Sequence, residues 1–428
     1  MSNVDLYEEL PYKCRPVEWT APERLALASL LHGGPRQSLD TYRVLELGCS
    51  NGANLLPQAF YRRHGRFVGI DRACTHLEAA ESSRTELGLT NIEFINCDID
   101  EAENRLVGEF DYIIAHGVFS WVPHHTRDAL LRLCAKRLCP GGLLYVNYNA
   151  KPGWKIRGMV RDFLLAQTVA ASSLRARAES ARDVAAKIVS ALPKDEHVYS
   201  TLIANEFQFV YDSDPCYVAH EYLAPENHSY WRSEFMTLVG SHGFNFVADA
   251  DFNYSSGRIS PDLLRRLDDE RITGHTVQDT VDLLCYRQLH SAILTSPGFV
   301  KRPPDAHDIS NLFIASCLSP CESTSEGHAM FEHPCGYRVE VTTHVMQTAF
   351  TTLERLWPLG LSVGELFTNA SGVMDDLLLL HRNGVIELRC ADGLHGDIDP
   401  EPLNRLENRI GGYSTSPYHT RVETVSAS

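Results

Sequence analysis

The run Val44-Leu45-Glu46-Leu47-Gly48-Cys49-Ser50-Asn51-Gly52 leads an apolar strand straight into a glycine-bearing turn and the start of a helix. Glycine lets a backbone approach a ligand closely. Glu46, just before the turn, is placed to meet an ammonium group, with Gly48, Cys49 and Gly52 forming the turn itself. A second strand ends at Gly69-Ile70-Asp71, 23 residues after Gly48, where a carboxylate can accept both hydroxyls of a ribose; Arg72 follows it. A third ends at Asn96-Cys97-Asp98-Ile99, where Asp98 can accept from an adenine amino group while Ile99 packs on the ring. An Asp after a strand is by itself more often a helix cap. Acidic side chains at three successive strand ends, in this order, instead describe a site for a nucleoside bearing an ammonium group.

Dinucleotide sites on the same scaffold use GxGxxG and seat a pyrophosphate on the helix N-terminus. Here the glycines are spaced GxxxG. A nicotinamide enzyme is therefore the least favoured reading, and S-adenosylmethionine, which has no phosphate, is the expected cofactor. His116 lies just past a fourth strand, where the donor methyl would emerge, so it joins the cofactor set. Trp121, Tyr148, Asn149 and Trp154 lie on nearby loops. An amine acceptor must lose its proton before attack, and lysine starts from a pKa of ~10.4. Aromatic walls would lower that value by desolvation and attract cations to their faces. His116, Trp121, Tyr148 and Trp154 are the catalytic candidates. His116 could be a base or simply the partner of a loop carbonyl, and the Trp and Tyr residues could also be ordinary core. His124 and His125 are expected to cap a helix or lie exposed, and the Arg175 to Arg182 stretch to be a solvated face.

Short apolar runs at Arg43 to Leu47, Phe67 to Ile70, Ile92 to Asn96, Tyr112 to Ala115 and Leu143 to Tyr148 alternate with helical stretches such as Asp128 to Leu138. That rhythm predicts an α/β fold with a parallel, Rossmann-like sheet covered on both faces. Helical Ile156 to Leu192 interrupts it as a cap. It resumes with a helix over Trp231 to His242 and strands at Phe244 to Ala248 and Gln288 to Leu294, giving seven strands. Before the sheet, Thr20 can cap a helix with Pro22 and Glu23 in its first turn, stopped by Gly33-Gly34-Pro35. After Pro-rich Lys301 to Asp305, helices at Val345 to Leu356, Ser362 to Thr368 and Met374 to Arg382, then Val385 to Cys390 and the turn Asp392-Gly393, suggest a winged-helix-like unit. The expected division is an N-terminal helical lid (1–39), the cofactor-binding core (40–150), the helical cap (151–230), the rest of the sheet (231–298), the winged-helix-like domain (299–410) and a flexible tail (411–428).

With 428 residues, 44% apolar and 22% charged, the chain can bury a large core. A net charge of −16 without a basic run argues against nucleic acid as partner, for the winged-helix-like unit as well. Met1 to Leu10 lacks the pattern of a secretory signal, and no apolar run approaches the ~20 residues of a membrane span. A cytoplasmic protein without membrane contact is expected. The 12 cysteines then read as reduced thiols. Cys317, Cys321, His328, His333 and Cys335 lack a CxxC pair, so packing is preferred to zinc and no metal is expected.

The run Phe110-Asp111-Tyr112-Ile113-Ile114-Ala115-His116-Gly117-Val118-Phe119-Ser120-Trp121-Val122-Pro123 resembles class I S-adenosylmethionine-dependent methyltransferases, specifically those with a methyltransferase regulatory region. So do Tyr148-Asn149 with Pro152-Gly153-Trp154, Arg157 to Asp162, His220-Glu221-Tyr222-Leu223, Glu234-Phe235, Phe244 to Asp249 and Leu353 to Pro358. That group includes enzymes that methylate lysines of outer-membrane proteins. The resemblance implies the class I methyltransferase sheet and N-methylation of a protein or peptide side chain, lysine foremost. Two alternatives stay open: a small-molecule N- or O-methyltransferase of secondary metabolism, and a catalytically silent cofactor-binding regulator. Two positions depart from the family: Ser50, where a further glycine is usual, and Lys155, where histidine is usual. The acceptor, the number of methyl groups added and the oligomeric state are left open.

Overall fold

The computed structural model describes residues 7–12, 14–169, 171, 173–192, 197–250, 261–269, 277–323, 328–367, 370–391, 400–410, 413–415 and 420–424. Five strands open the sheet: β1 (Arg43–Leu47), β2 (Arg66–Asp71), β3 (Ile92–Asn96), β4 (Phe110–Ala115) and β5 (Leu138–Ala150). Later come the two-residue β6 (Ser229–Tyr230), then β7 (Asn245–Asp249) and β8 (Leu289–Thr295). Seven of them follow the order β3-β2-β1-β4-β5-β8-β7, with β6 beside the end of β5. The first five are parallel, and β8 runs antiparallel to both β5 and β7.

Both faces of the central strands β1, β4 and β5 are buried, which is why their middles are largely apolar. Val44, Tyr112, Ile114, Leu143 and Tyr145 face one core; Leu45, Ile113, Leu144, Val146 and Tyr148 face the other. The helix Pro22–Leu31 covers the first face with Leu25 and Ala28, while Leu27 enters the core of the C-terminal domain. Thr20 does not cap it. Ala21 stands at the N-cap, and the Thr20 hydroxyl donates to the Val17 carbonyl at 2.8 Å.

The cap comprises four helices, Lys151–Gln167, Leu174–Ala191, Val198–Asp212 and Pro215–Tyr222, around a core that includes Leu164, Ala181, Phe207 and Val218. Arg182 lies over Tyr211 and donates to its carbonyl at 3.0 Å, so this part of the expected solvated face packs within the cap.

Beyond residue 300, Phe313–Ala315 pairs antiparallel with Leu361–Ser362 and Glu387–Arg389. A second antiparallel sheet, Ser319–Ser323, Ala329–Glu332 and Arg338–Val341, is not foreshadowed in the sequence reading. Helices His344–Leu356, Val363–Leu366 and Ala370–Arg382 complete the unit; the expected turn Asp392-Gly393 lies outside the described residues. Helix Pro400–Arg409 leaves this core and packs Leu403 and Leu406 into the first core of the sheet. Within the stretch expected to be a loose tail, Tyr413–Thr415 pairs with Thr420–Thr424. Arg36 Nε donates to Asp308 at 2.7 Å, and the Arg302 N–H donates to the Gly33 carbonyl at 3.0 Å, fastening the C-terminal domain to the N-terminal segment. Among the described residues no helix is long and apolar enough to cross a membrane, and no group of three or more His, Cys, Asp or Glu could hold a metal ion.

Candidate active site

The turn after β1 takes left-handed backbone at Gly48 (φ 73°), Ser50 (φ 48°) and Gly52 (φ 74°). A Cβ on Gly48 would stand 2.6 Å from the Val118 side chain, and one on Gly52 2.8 Å from the Phe94 ring, so neither position tolerates a larger residue. Ser50 occupies the conformation that glycine would adopt without steric cost. Its N–H donates to Asp71 Oδ2 at 2.8 Å, and its hydroxyl meets His76 Nδ1 at 3.1 Å. Asp71 also accepts from the Ala73 N–H at 2.9 Å. Each oxygen of Asp71 is thus fixed by one backbone donor and keeps acceptor capacity for a ribose hydroxyl. Arg72 pairs with Asp98 at 3.4 Å, and Ile99 packs at the margin of the second core. Cys49 braces the turn: its N–H donates to Ile70, and its sulfur lies against Gly69.

Glu46 is buried. Asn54 Nδ2 donates to its Oε1 at 2.8 Å, and Oε2 has no partner. Burial pushes its carboxyl up to about 8; Asn54 pulls the other way and Asp71 adds to the rise. A cation arriving here would satisfy the bare oxygen and restore the charge. An amino-acid ammonium beside a ribose carboxylate fits these residues.

His116 follows β4. Its Nδ1 lies 3.1 Å from the Tyr145 hydroxyl, which also receives Trp19 Nε1 at 3.0 Å. Burial, aided by Arg15, brings the imidazole down to about 4, so it is neutral at pH 7 and only a weak proton acceptor. Trp121 and Trp154 meet edge to face at 5.5 Å, and Arg157 lies 5.3 Å above Trp154. The neighbouring Lys155 is exposed. Tyr148 does not join this wall. It is 1% exposed, stacked between Phe235 at 3.8 Å and His290 at 5.1 Å, in the core alternation of Leu144 and Val146. His124 and His125 open the helix His124–Arg137.

The sequence reading missed the contribution of residues 7–20. Cys14 lies near Glu46, Asp71 and Ser50. Val17 N–H donates to Asn54 Oδ1 at 2.9 Å, and the Tyr7 ring lies tilted at 4.9 Å from His220 while lying near Asp71. These contacts reach across the chain, as in Leu10 with His220, 210 residues apart, and no local pattern announces them. Asn54, three residues past a loop asparagine, carries no signal of its own.

Residues 38–202 match the family described as methyltransferase domain, and residues 214–295 the predicted methyltransferase regulatory domain. An uncharacterised protein of Rickettsia prowazekii (strain Madrid E) is 31% identical over 262 residues, 61% of this chain and 47% of that protein. The chain thus spans about half the length of that relative. A ubiquinone biosynthesis O-methyltransferase of Paracidovorax citrulli is 27% identical over 146 residues, 33% of this chain and 58% of that protein. Among solved structures, PKMT2 from Rickettsia typhi in complex with AdoHcy superposes with a TM-score of 0.75 at 20% identity, covering 89% of this chain and 78% of that one.

Proposed function

We propose that this chain, which carries a class I S-adenosylmethionine-dependent methyltransferase domain joined to a methyltransferase regulatory domain, methylates an amine nitrogen of a protein or peptide side chain, lysine foremost. The observation that carries the cofactor side is the bare, buried oxygen of Glu46 beside a turn that only glycine can make at Gly48 and Gly52. Glu46 would hold the ammonium of the donor, Asp71 its ribose, and Asp98 with Ile99 its adenine. The bound donor supplies an electrophilic methyl on a sulfonium.

The amine reading is supported by His116 and the indoles of Trp121 and Trp154. A neutral imidazole adds no positive charge, and desolvation among the indoles lowers the cost of removing an ammonium's proton, while their faces attract the sulfonium. Holding nitrogen and methyl in line would provide much of the remaining acceleration. Labelled S-adenosylmethionine, incubated with this protein and a panel of lysine-containing peptides, should leave label on lysine when the products are read by mass spectrometry. Label confined to phenols or other small molecules, or cofactor binding with no transfer to any acceptor, would overturn this reading.

A further inference from the structure

Asn149 belongs to β5 and is 3% exposed, yet the nitrogen of its side-chain amide is buried without a hydrogen-bond partner. Its place in the strand gives its direction. Alternation along β5 turns Leu143 and Tyr145 toward the first core, and Asn147 and Asn149 continue on that face toward the carboxyl edge of the sheet. Asn147 has a structural task there: its Oδ1 accepts from the Gly117 N–H at 2.7 Å and holds down the loop after β4. The Asn149 amide nitrogen has none among the described residues. The Asn149 backbone N–H donates to Ser120 Oγ at 2.9 Å, and the Ser120 carbonyl accepts from the His228 N–H at 2.8 Å, so one serine ties the strand end to the segment before β6. In that segment Asn227 carries a second buried amide nitrogen without a partner.

A bare amide N–H under protein cover calls for an oxygen that accepts. The surface beside Asn149 is open and apolar, because its partner across the sheet, on the same face, is Leu289, which is 39% exposed. Inward along the same face, Ala115 pairs with Val146, which sets His116 level with Asn147 and within reach of Tyr145. Asn149 lies two residues further out, about 7 Å along a strand. An extended lysine side chain covers a similar distance, about 6 Å over the five bonds from its Cα to its nitrogen. A lysine entering past Leu289 with its nitrogen beside His116 therefore leaves its own main chain at the level of Asn149.

We propose that the side-chain amide of Asn149 binds a main-chain carbonyl oxygen of the acceptor, so that the site selects a lysine within a peptide chain over a bare alkylamine. This rests on the amine reading above, with His116 marking the end of the site that the nitrogen reaches. An amide donates without carrying charge, so it holds a neutral carbonyl and needs no counter-ion. Asn227, two residues before the Ser229 that pairs with Asn149, offers a second donor of the same kind. Leu289 supplies apolar surface at the rim, where the entering side chain leaves water.

The test gives wild type and Asn149→Ala three acceptors: Nα-acetyl-lysine N-methylamide, with both flanking carbonyls; n-pentylamine, with the same reach and no carbonyl; and free lysine, with a carboxylate. Wild type should favour the blocked lysine over n-pentylamine in kcat/KM by at least about tenfold, the scale of one hydrogen bond to a donor otherwise buried unpaired. Asn149→Ala should erase that preference through KM, and Asn149→Asp, which sets a carboxylate against the carbonyl, should reverse it. Loss of packing alone would slow both acceptors alike, and an unchanged ratio in the variants would overturn the proposal. So would equal kcat/KM of wild type for blocked lysine and n-pentylamine, a result that needs no variant to fold. Preference for free lysine over blocked lysine would replace the main-chain carbonyl by a carboxylate and overturn the assignment. A protein that methylates none of the three overturns the amine reading instead. Calorimetric binding of blocked lysine to protein saturated with S-adenosylhomocysteine then decides the site: weakening of at least about tenfold in Asn149→Ala keeps it, and unchanged binding removes it.

Discussion

Asn54 and Glu46 share one hydrogen bond of 2.8 Å, and the Glu46 oxygen that Asn54 does not reach has no partner at all. Because burial raises this carboxyl to about 8, the greater part of the free protein carries it protonated at pH 7. The ionised form is the one that holds an ammonium, so S-adenosylmethionine must displace a proton as it binds. Affinity should therefore rise with pH up to about 8 and then level off. Calorimetry at pH 7 in buffers of differing ionisation enthalpy should show proton release on binding. Absence of any proton exchange would remove Glu46 from the ammonium site.

Asp71→Ala should weaken S-adenosylmethionine binding by about 1.5 to 3 kcal/mol, the scale for hydrogen bonds to a charged acceptor. The same carboxylate anchors the N–H groups of Ser50 and Ala73, so part of this loss belongs to the turn. Asp71→Asn keeps one acceptor oxygen and separates the two: it should bind better than the alanine variant. Wild-type affinity in a folded Asp71→Ala protein would show that the ribose lies elsewhere.

Ser50 holds φ 48° with a side chain that disfavours it. Ser50→Gly and Ser50→Ala both lose the contact with His76, but only glycine relieves the backbone, so the glycine variant should be the more stable by about 1 kcal/mol. Its cofactor affinity should equal or exceed that of the wild type. Equal stability of the two variants in urea titrations would mean that the turn is not strained.

Tyr148 ends in a buried hydroxyl without a partner. Tyr148→Phe should leave melting temperature equal or higher, because an unpaired polar group is removed without opening a cavity. Turnover should stay near wild type. A fall of about a hundredfold, the scale of a mispositioned reacting group, would return Tyr148 to the acceptor site. Trp154→Phe gives the contrast, since it alters the wall against Trp121 while keeping an aromatic ring: turnover should fall and cofactor affinity persist.

His290 lies 2.7 Å from Asp282 and 3.6 Å from Asp249, which Arg232 also pairs at 2.9 Å. Burial opposes its charge, but the two carboxylates outweigh burial and hold its pKa above the ordinary value. The stabilisation it gives is therefore complete below the unfolded pKa of about 6.5 and is lost as pH rises through the folded value. His290→Gln should cost more stability at pH 6 than at pH 9 in denaturant titrations. An equal cost at both would exclude a charged imidazole.

The five-strand rhythm is legible because strands buried on both faces carry apolar runs, as the middles of β1, β2, β4 and β5 do. The turn and the acidic positions are legible because each sits at a strand end, where chain direction places it at the ligand edge. Tyr148 and Trp154 look alike by type and nearness. Only the alternation Leu144, Val146, Tyr148 distinguishes them, and it assigns Tyr148 to the core. Thr20 has the composition of a cap, yet the neighbouring Asn54 offers its hydroxyl a partner within 3.2 Å, a contact across 34 residues that no local pattern contains. The N-terminal contacts of Tyr7, Leu10 and Trp19 are hidden for the same reason.

Leu25 and Leu27 stand two positions apart on one helix, the first in the core of the sheet and the second in the core of the C-terminal domain. A helix that is wall to both cores cannot melt from one and remain on the other. The two regions are therefore bound into one cooperative unit and should unfold in a single calorimetric transition, and neither can swing as a free arm. Chain cut before residue 300 would expose Leu27, Leu30 and Leu31 to water, so the fragment should precipitate instead of surviving as a smaller enzyme.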